Sequence, residues 1–236
     1  MVYKWLINNL SRLARHECLL CDETFTPDLS AHICNACCHD LPTFRQVCGQ
    51  CGINITSSTY KCGPCLTRPP EYDRVVAPFA YAEPIRQLIA HFKFQRQLAI
   101  GNVFTEPLIS KLNQSPIKVQ AIVAVPLHSS RLRQRGFNQA LELARPLAKA
   151  FKLPLLINEV ERRMHTEEQS SLSGRQRRAN LKNAFALIKP VNYESIAIVD
   201  DVMTTGSTVD ELSKLLKKNG VKYIEIWCVA RAGQGQ

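Results

Sequence analysis

The chain has 236 residues, of which 45% are hydrophobic and 21% charged, and a formal net charge of +10. That composition is near the globular average and can bury one substantial core plus a small satellite module. No apolar run reaches the roughly 18 positions of a membrane span, so no transmembrane helix is expected.

Charge is distributed unevenly. The first 67 residues carry five basic side chains (Lys4, Arg12, Arg15, Arg45, Lys61) against five acidic ones, so the whole positive excess lies downstream. There it suits a polyanionic small substrate, a nucleic acid or a solvated basic face.

Residues 1–15 place Trp5, Leu6, Leu10 and Leu13 at helical spacing, while Asn8, Asn9 and Ser11 interrupt any signal-peptide core. The expectation is a short amphipathic helix that packs on its own domain or meets a membrane surface or partner.

Nine of the ten cysteines follow between Cys18 and Cys65. Eight form four C-x-x-C pairs: Cys18/Cys21, Cys34/Cys37, Cys48/Cys51 and Cys62/Cys65. Two thiolates three residues apart can face one metal from a tight turn, and two such turns complete the tetrahedral set that zinc accepts. Eight ligands imply two Zn2+ ions, and sites closed by four thiolates hold fold rather than chemistry. A sequential scheme joins the first two pairs and the last two; a cross-braced scheme alternates them. The loop lengths favour the sequential one. Cys38, beside Cys37, leaves a ligand-register ambiguity, and His16, His32 and His39 are surplus to the thiolates. A disulfide framework and a redox role for one pair are the rival readings; the absence of a secretory signal favours a reducing, cytoplasmic setting. Leu66 to Tyr72, with Pro69 and Pro70, reads as a linker, which divides the chain into 1–67 and 68–236.

Beyond the linker, apolar runs alternate with helical patterns: Ala121–Val125, Asn138–Phe151, Ile196–Val199, Val209–Lys218 and Ile224–Val229. This is the pattern of a parallel α/β sheet. Pro146 is expected to kink or divide its helix. Leu212, Leu215 and Leu216 share one face of the last helix, and Gly220 stands just past its end. Cys228, in an apolar strand, reads as core packing.

The most informative segment runs from Ser195 to Leu212: a buried strand, the acidic pair Asp200 and Asp201, a hydroxyl-rich turn and a helix. Thr204, Thr205, Ser207 and Thr208 can donate hydroxyl hydrogen bonds, Gly206 permits close backbone approach, and a new helix presents unpaired N–H groups. These suit a phosphate. The two carboxylates suit hydroxyl recognition instead, since they would repel an anion. A sugar phosphate satisfies both halves. Neither a P-loop nor a dinucleotide fingerprint is present.

In this segment, Ile196 to Thr208 resemble the signature of the phosphoribosyltransferases. The run from Val125 through Pro126, Leu127 and His128 to Gln139, the spaced Arg163, Thr166, Gln169, Leu172, Arg177 and Asn180, the Ala184-Phe185 step and the four cysteine pairs resemble the ComF/GntX family of competence and DNA-utilisation proteins. The resemblance covers almost the whole chain. It implies a type I phosphoribosyltransferase fold behind a double zinc ribbon, with phosphoribosyl pyrophosphate and Mg2+ as ligands, in DNA uptake or the use of DNA as a nutrient. It further implies that Asp200 and Asp201 hold ribose hydroxyls, that Thr204, Thr205, Gly206, Ser207 and Thr208 hold the 5-phosphate, that the loop after Val125 meets the pyrophosphate, and that Arg163 to Asn180 form a mobile closing loop.

Read from the residues, Arg131, Arg133 and Arg135 follow a strand end, while Arg175, Arg177 and Arg178 lie where apolar periodicity is lost. Both groups suit a cationic lid or a solvated surface. Arg131, Arg135 and Arg163 are the candidates for substrate contact, with His128 beside them. The reaction expected of an enzyme is displacement at ribose C1 with an acceptor the sequence does not name. The alternative is a non-catalytic protein that binds single-stranded DNA or a DNA-uptake partner, although no aromatic-basic interleaving marks a stacking groove.

Overall fold

The computed structural model describes residues 16–26, 32–56, 59–94, 100–163 and 183–233. The expected N-terminal helix and most of the stretch between Arg163 and Asn180 lie outside them.

The cysteine-rich part begins with a two-stranded antiparallel ribbon, β1 (His16–Glu17) and β2 (Thr24–Phe25). Two five-residue helices follow, α1 (Asn35–His39) and α2 (Gly63–Thr67). Each starts immediately after the first cysteine of a C-x-x-C pair. In α1, the N-cap Cys34 accepts a bond from the Cys37 N–H at 3.5 Å, so the metal-binding turn and the helix start are the same local structure. The expected junction at residues 67 and 68 falls at the end of α2.

The larger part is built on β3 (Arg74–Val76), β4 (Phe79–Ala80), β5 (Ala121–Ala124), β6 (Leu155–Leu156), β9 (Ser195–Met203) and β10 (Tyr223–Arg231). They form one sheet in the order β3-β10-β9-β5-β6, with β4 also on β10, and every pair is parallel. The order explains the sequence: β9 and β10 are flanked and covered on both faces, so they read as continuous apolar runs rather than alternating ones. Helices α3 (Ile85–Phe94), α4 (Ile100–Leu112) and α6 (Gln139–Phe151) pack with one apolar cluster that includes Phe92, Phe104, Leu143, Leu147, Val199 and Trp227. Helix α7 (Ser207–Lys218) packs with the other, through Leu212 and Leu216 against Ile196, Ile198 and Ile226. Between β5 and α6 lies the short α5 (Ser129–Arg135). A separate antiparallel pair, β7 (Val160–Arg162) and β8 (Phe185–Leu187), completes the fold.

Two expectations need correction. Pro146 does not divide its helix: α6 runs unbroken from Gln139 to Phe151. A proline inside a helix costs about 3 kcal/mol, but this one sits on the outward flank, beside the exposed Arg145, while Leu143, Ala144, Leu147 and Ala148 are buried on the face that fixes the helix. Burial of that stripe outweighs one missing backbone bond. Second, the strand, expected to end at the acidic pair, does not stop there. It continues to Met203 because β10 stays paired with it as far as Arg231, so Asp200 and Asp201 lie inside the strand.

Candidate functional site

Parallel strands end at the same edge of a sheet, and ligands of open α/β folds collect outside those carboxyl ends. Here β5 and β9 are neighbours, with Ala124 opposite Val199 and the Val125 N–H bonded to the Val199 carbonyl at 2.9 Å. The loop after β5 and the loop after β9 therefore open on one edge. The first carries Arg131 and Arg135; the second carries Thr204 to Thr208.

The turn after β9 is shaped by Gly206. Its φ of +79° is left-handed, and a Cβ there would lie 2.6 Å from the Met203 methyl and 3.1 Å from the Tyr72 hydroxyl. Only glycine suits both constraints. Thr205 and Ser207 share a hydroxyl bond of 2.9 Å, and Thr205 Oγ1 also accepts from the Ser207 N–H at 3.3 Å. As N-cap of α7, Gly206 supplies no side-chain acceptor. The first turn of a twelve-residue helix thus keeps donors for an external acceptor. Thr204 and Thr205 are exposed, Thr208 is half-buried, and Gly206 and Ser207 are buried.

The acidic pair is split, because successive strand residues point to opposite faces. Asp201 is 5% exposed, and its Oδ2 meets Lys93 Nζ at 2.6 Å. That ammonium is the only partner of this buried oxygen among the described residues. Asp200 keeps more exposure, and its Oδ1 accepts from the Asp201 N–H at 2.9 Å. Dense surrounding protein, then the neighbouring Asp201 charge, push its carboxyl well above the usual aspartate range, against a smaller opposing pull from Lys93. Lys93 was not anticipated. Its helix was signalled by Ile85, Leu88, Ile89 and Phe92 at helical spacing, but no local feature announces a partner more than a hundred residues away.

On the other loop, Arg131 and Arg135 stand one turn apart on α5 and are half-buried, whereas Arg133 is exposed. His128 is the N-cap of α5: its Nδ1 accepts from the Ser130 N–H at 3.3 Å and lies 2.8 Å from the Ser130 hydroxyl. Asn138 caps α6 by accepting from the N–H groups of Ala140 (3.0 Å) and Leu141 (3.4 Å), and its amide donates to the Val125 carbonyl at 3.1 Å. The Arg131/Arg135 helix is therefore tied at both ends. Arg163 lies just past β7, exposed and paired with Glu161 at 2.7 Å, and its N–H bonds to Ala184 O. The neighbouring Asn183 N–H reaches Glu211 of α7 at 3.0 Å. No described contact brings the Arg163 side chain to the turn after β9. Arg175, Arg177 and Arg178 lie outside the described residues.

The eight paired cysteines gather as the sequential scheme expects, Cys18, Cys21, Cys34 and Cys37 in one group and Cys48, Cys51, Cys62 and Cys65 in the other, with all sulfurs of a group within 4.8 Å of one another. Zinc–thiolate bonds of about 2.3 Å in a tetrahedron place sulfurs about 3.8 Å apart. Cys21 and Cys34 are separated by 3.8 Å, and Cys51 and Cys62 by 3.6 Å. The Cys34 N–H points to Cys18 Sγ (3.4 Å) and the Cys62 N–H to Cys48 Sγ (3.3 Å). Burial pushes the Cys48 thiol up, but the N–H groups of Cys51, Cys62 and Gln50 outweigh it and bring it down to about 6. The same balance, with N–H groups of Cys34, Leu20 and Cys21, brings Cys18 to about 6. Each group thus favours one thiolate, which suits a bound cation, while burial and then the neighbouring thiols push Cys37 and Cys65 up. Cys38 stands outside the first group, with its thiol directed to the Ile33 carbonyl at 3.9 Å.

Between the second group and the turn after β9 lies a cavity of about 440 Å³, bordered by Cys65, Tyr72, Gly206, Ser207, Lys214 and Arg231. No helix among the described residues is long and apolar enough to cross a membrane.

Residues 106–236 match the phosphoribosyl transferase domain family. The chain is 40% identical over 208 residues to competence protein F of Haemophilus influenzae, covering 85% of this chain and 90% of that protein. It is 38% identical over 204 residues to DNA utilization protein YhgH of Escherichia coli K12, covering 84% and 90% respectively. A more distant relative, competence protein ComFC of Streptococcus pneumoniae, is 27% identical over 229 residues, covering 91% of this chain and all of that protein. With the parallel sheet, the turn after β9 and both four-cysteine groups in place, the chain belongs to the ComF/YhgH (GntX) family and carries its phosphoribosyl transferase domain.

Proposed function

We propose that this chain binds phosphoribosyl pyrophosphate with Mg2+ at the carboxyl edge of its sheet and serves the uptake of DNA or its use as a nutrient. The observation that carries the reading is the Gly206 turn. Its left-handed backbone, paired Thr205 and Ser207 hydroxyls and uncapped helix start form a neutral donor cradle beside a carboxylate pair. In this reading Thr204, Thr205, Gly206, Ser207 and Thr208 hold the 5-phosphate. Asp200 accepts from the ribose hydroxyls. Asp201, held by Lys93, fixes the strand end and adds its charge to the site. Arg131 and Arg135 face the pyrophosphate from the neighbouring loop, and Arg163 approaches from the β7–β8 pair.

Mg2+ would neutralise pyrophosphate oxygens as they leave. The rest is positioning and electrostatics, which displacement at ribose C1 chiefly needs: the C1–O bond to pyrophosphate breaks as an acceptor nucleophile bonds to C1. The two four-cysteine groups hold structural Zn2+, closed to water and substrate.

Calorimetric titration of phosphoribosyl pyrophosphate and Mg2+ into metal-replete wild type and Thr205→Ala/Thr208→Ala tests the site. Binding by wild type and at least a tenfold loss in the variant, worth about 1.4 kcal/mol, is expected. Folded wild type that does not bind overturns the reading. A second reading, a non-catalytic protein that binds single-stranded DNA or an uptake partner, draws on the basic excess of the downstream part and on the names of the competence and DNA-utilization relatives. It predicts DNA affinity that falls steeply with salt even when the sugar phosphate is saturating.

A further inference from the structure

Arg231, the last residue of β10, is 6% exposed, and among the described residues no carboxylate pairs with it. Its charge is met by four backbone carbonyls. Nε donates to Cys51 O at 2.8 Å, and one terminal nitrogen donates to Met203 O at 3.0 Å, to Ala232 O at 2.9 Å and, in a closer contact, to Thr204 O. Cys51 belongs to the second four-cysteine group, whereas Met203 and Thr204 enter the turn that ends at Gly206. A buried guanidinium without a counter-charge is costly unless its donors are satisfied. Its planar fork can satisfy several acceptors at once in a fixed geometry.

Two further connections run in parallel. Gln50, between Cys48 and Cys51, donates to the carbonyls of Tyr72 (3.1 Å) and Pro70 (3.4 Å), and the Tyr72 hydroxyl borders Gly206. The Glu71 N–H donates to Asp210 of α7 at 2.8 Å. The first four-cysteine group is placed differently. Cys18 packs in the other apolar cluster, with Ile33, Leu41, Phe79 and Ile85, and among the described residues no backbone–backbone hydrogen bond joins residues 16–40 to residues 200–210.

We propose that Arg231 is a positioning residue that couples the second four-cysteine group to the Gly206 turn, so that metal held by Cys48, Cys51, Cys62 and Cys65 and ligand held by the turn stabilise each other, with the first group outside this linkage. The ligand half rests on the sugar-phosphate reading above; the coupling half rests on Arg231 and its carbonyls, with the Gln50 and Glu71 bonds beside them.

Linkage is reciprocal: if metal at the second group favours ligand, ligand must retain that metal. The test uses full-length, metal-replete protein exposed to a chelator and a thiol-alkylating reagent, with modification of each cysteine followed by peptide mass spectrometry. Saturating Mg2+ and phosphoribosyl pyrophosphate should slow alkylation of Cys48, Cys51, Cys62 and Cys65 at least about fivefold while altering the Cys18–Cys37 group less than about twofold. Arg231→Lys keeps the charge but loses the fork. It should cut the selective protection to less than about half, the Gln50 and Glu71 bonds remaining, and weaken ligand binding at least about fivefold, with two metals per chain retained. Equal protection of both groups, or wild-type ligand affinity in Arg231→Lys, overturns the coupling while leaving the sugar-phosphate site intact.

Hydrogen exchange at amides 203–208 keeps the two ideas separable. If wild type binds no ligand, faster exchange there as the second group loses metal sustains the coupling, and unchanged exchange overturns it.

Discussion

Asp200 and Asp201 are adjacent in the chain and electrostatically unlike. Asp201 has a lysine at 2.6 Å; Asp200 has surrounding protein and a like charge, which raise its carboxyl well above the usual range. At a pH between the ordinary aspartate value and this raised one, the unfolded chain has released a proton that the folded chain retains. Stability therefore falls as pH rises through that window. Asp200→Asn removes the penalty. Its melting temperature should exceed that of wild type at about pH 7, by roughly 2–4 °C for each kcal/mol relieved. The difference should close below about pH 4, where both side chains are neutral. Melts across that range check this, and a variant no more stable at neutral pH than at acid pH would place the strain elsewhere. The same substitution should weaken sugar-phosphate binding, the usual opposition of stability and function at a site.

At the scale of elements, Asn138 shows how one side chain both starts a helix and fixes a loop. Its oxygen caps α6, and its amide holds the Val125 carbonyl at the mouth of the loop that carries Arg131 and Arg135. Asn138→Asp keeps the cap and loses the amide donor; Asn138→Ala loses both. The expected order of stability by urea unfolding is wild type, then Asp, then Ala, with about 1 kcal/mol for each lost function. Equal values for Asp and wild type would show the tether to be idle. The elements readable from sequence were those with local signals: β9 and β10 as unbroken apolar runs, α7 with its leucine face and Gly220 stop, and the turn after β9 with its hydroxyls and glycine. The C-x-x-C pairs were equally legible, because loop lengths between turns restrict which sulfurs can meet. What local pattern did not convey was pairing across the chain. The Asp201–Lys93 contact depends on α3 lying over the sheet edge, and the strand's persistence through Asp200 depends on β10 beside it. Pro146 was misread for the same reason, since the apolar face that overrides it has value only once packed.

At the scale of the molecule, the second four-cysteine group is built into the core, while the first joins it through Cys18, with Cys34 and Cys37 half-buried against it and Cys21 exposed. Cys48, Cys51, Cys62 and Cys65 are buried with Val75, Ile198, Leu212 and Ile226, and Cys18 with Phe79, Leu88, Phe92 and Trp227. A group of thiolates that loses its ion must repel, protonate or open, and here opening would expose side chains shared with the sheet. Metal binding is thus folding free energy for the whole chain rather than for an appendage. Complete chelation under reducing conditions should lower the melting temperature of the entire protein, with far-UV circular dichroism and tryptophan fluorescence moving together. In a Trp5→Phe background Trp227 is the one tryptophan left; it is 0% exposed in β10 and 5.6 Å from the Phe151 ring, so its emission reports the sheet rather than the cysteine-rich part. If the ribbons were independent, chelation would melt a small fraction of the signal and leave Trp227 emission unchanged to the original transition. With the second group buried in one cluster and the first anchored on the other through Cys18, the expected result is one cooperative transition at lower temperature, restored by adding back Zn2+.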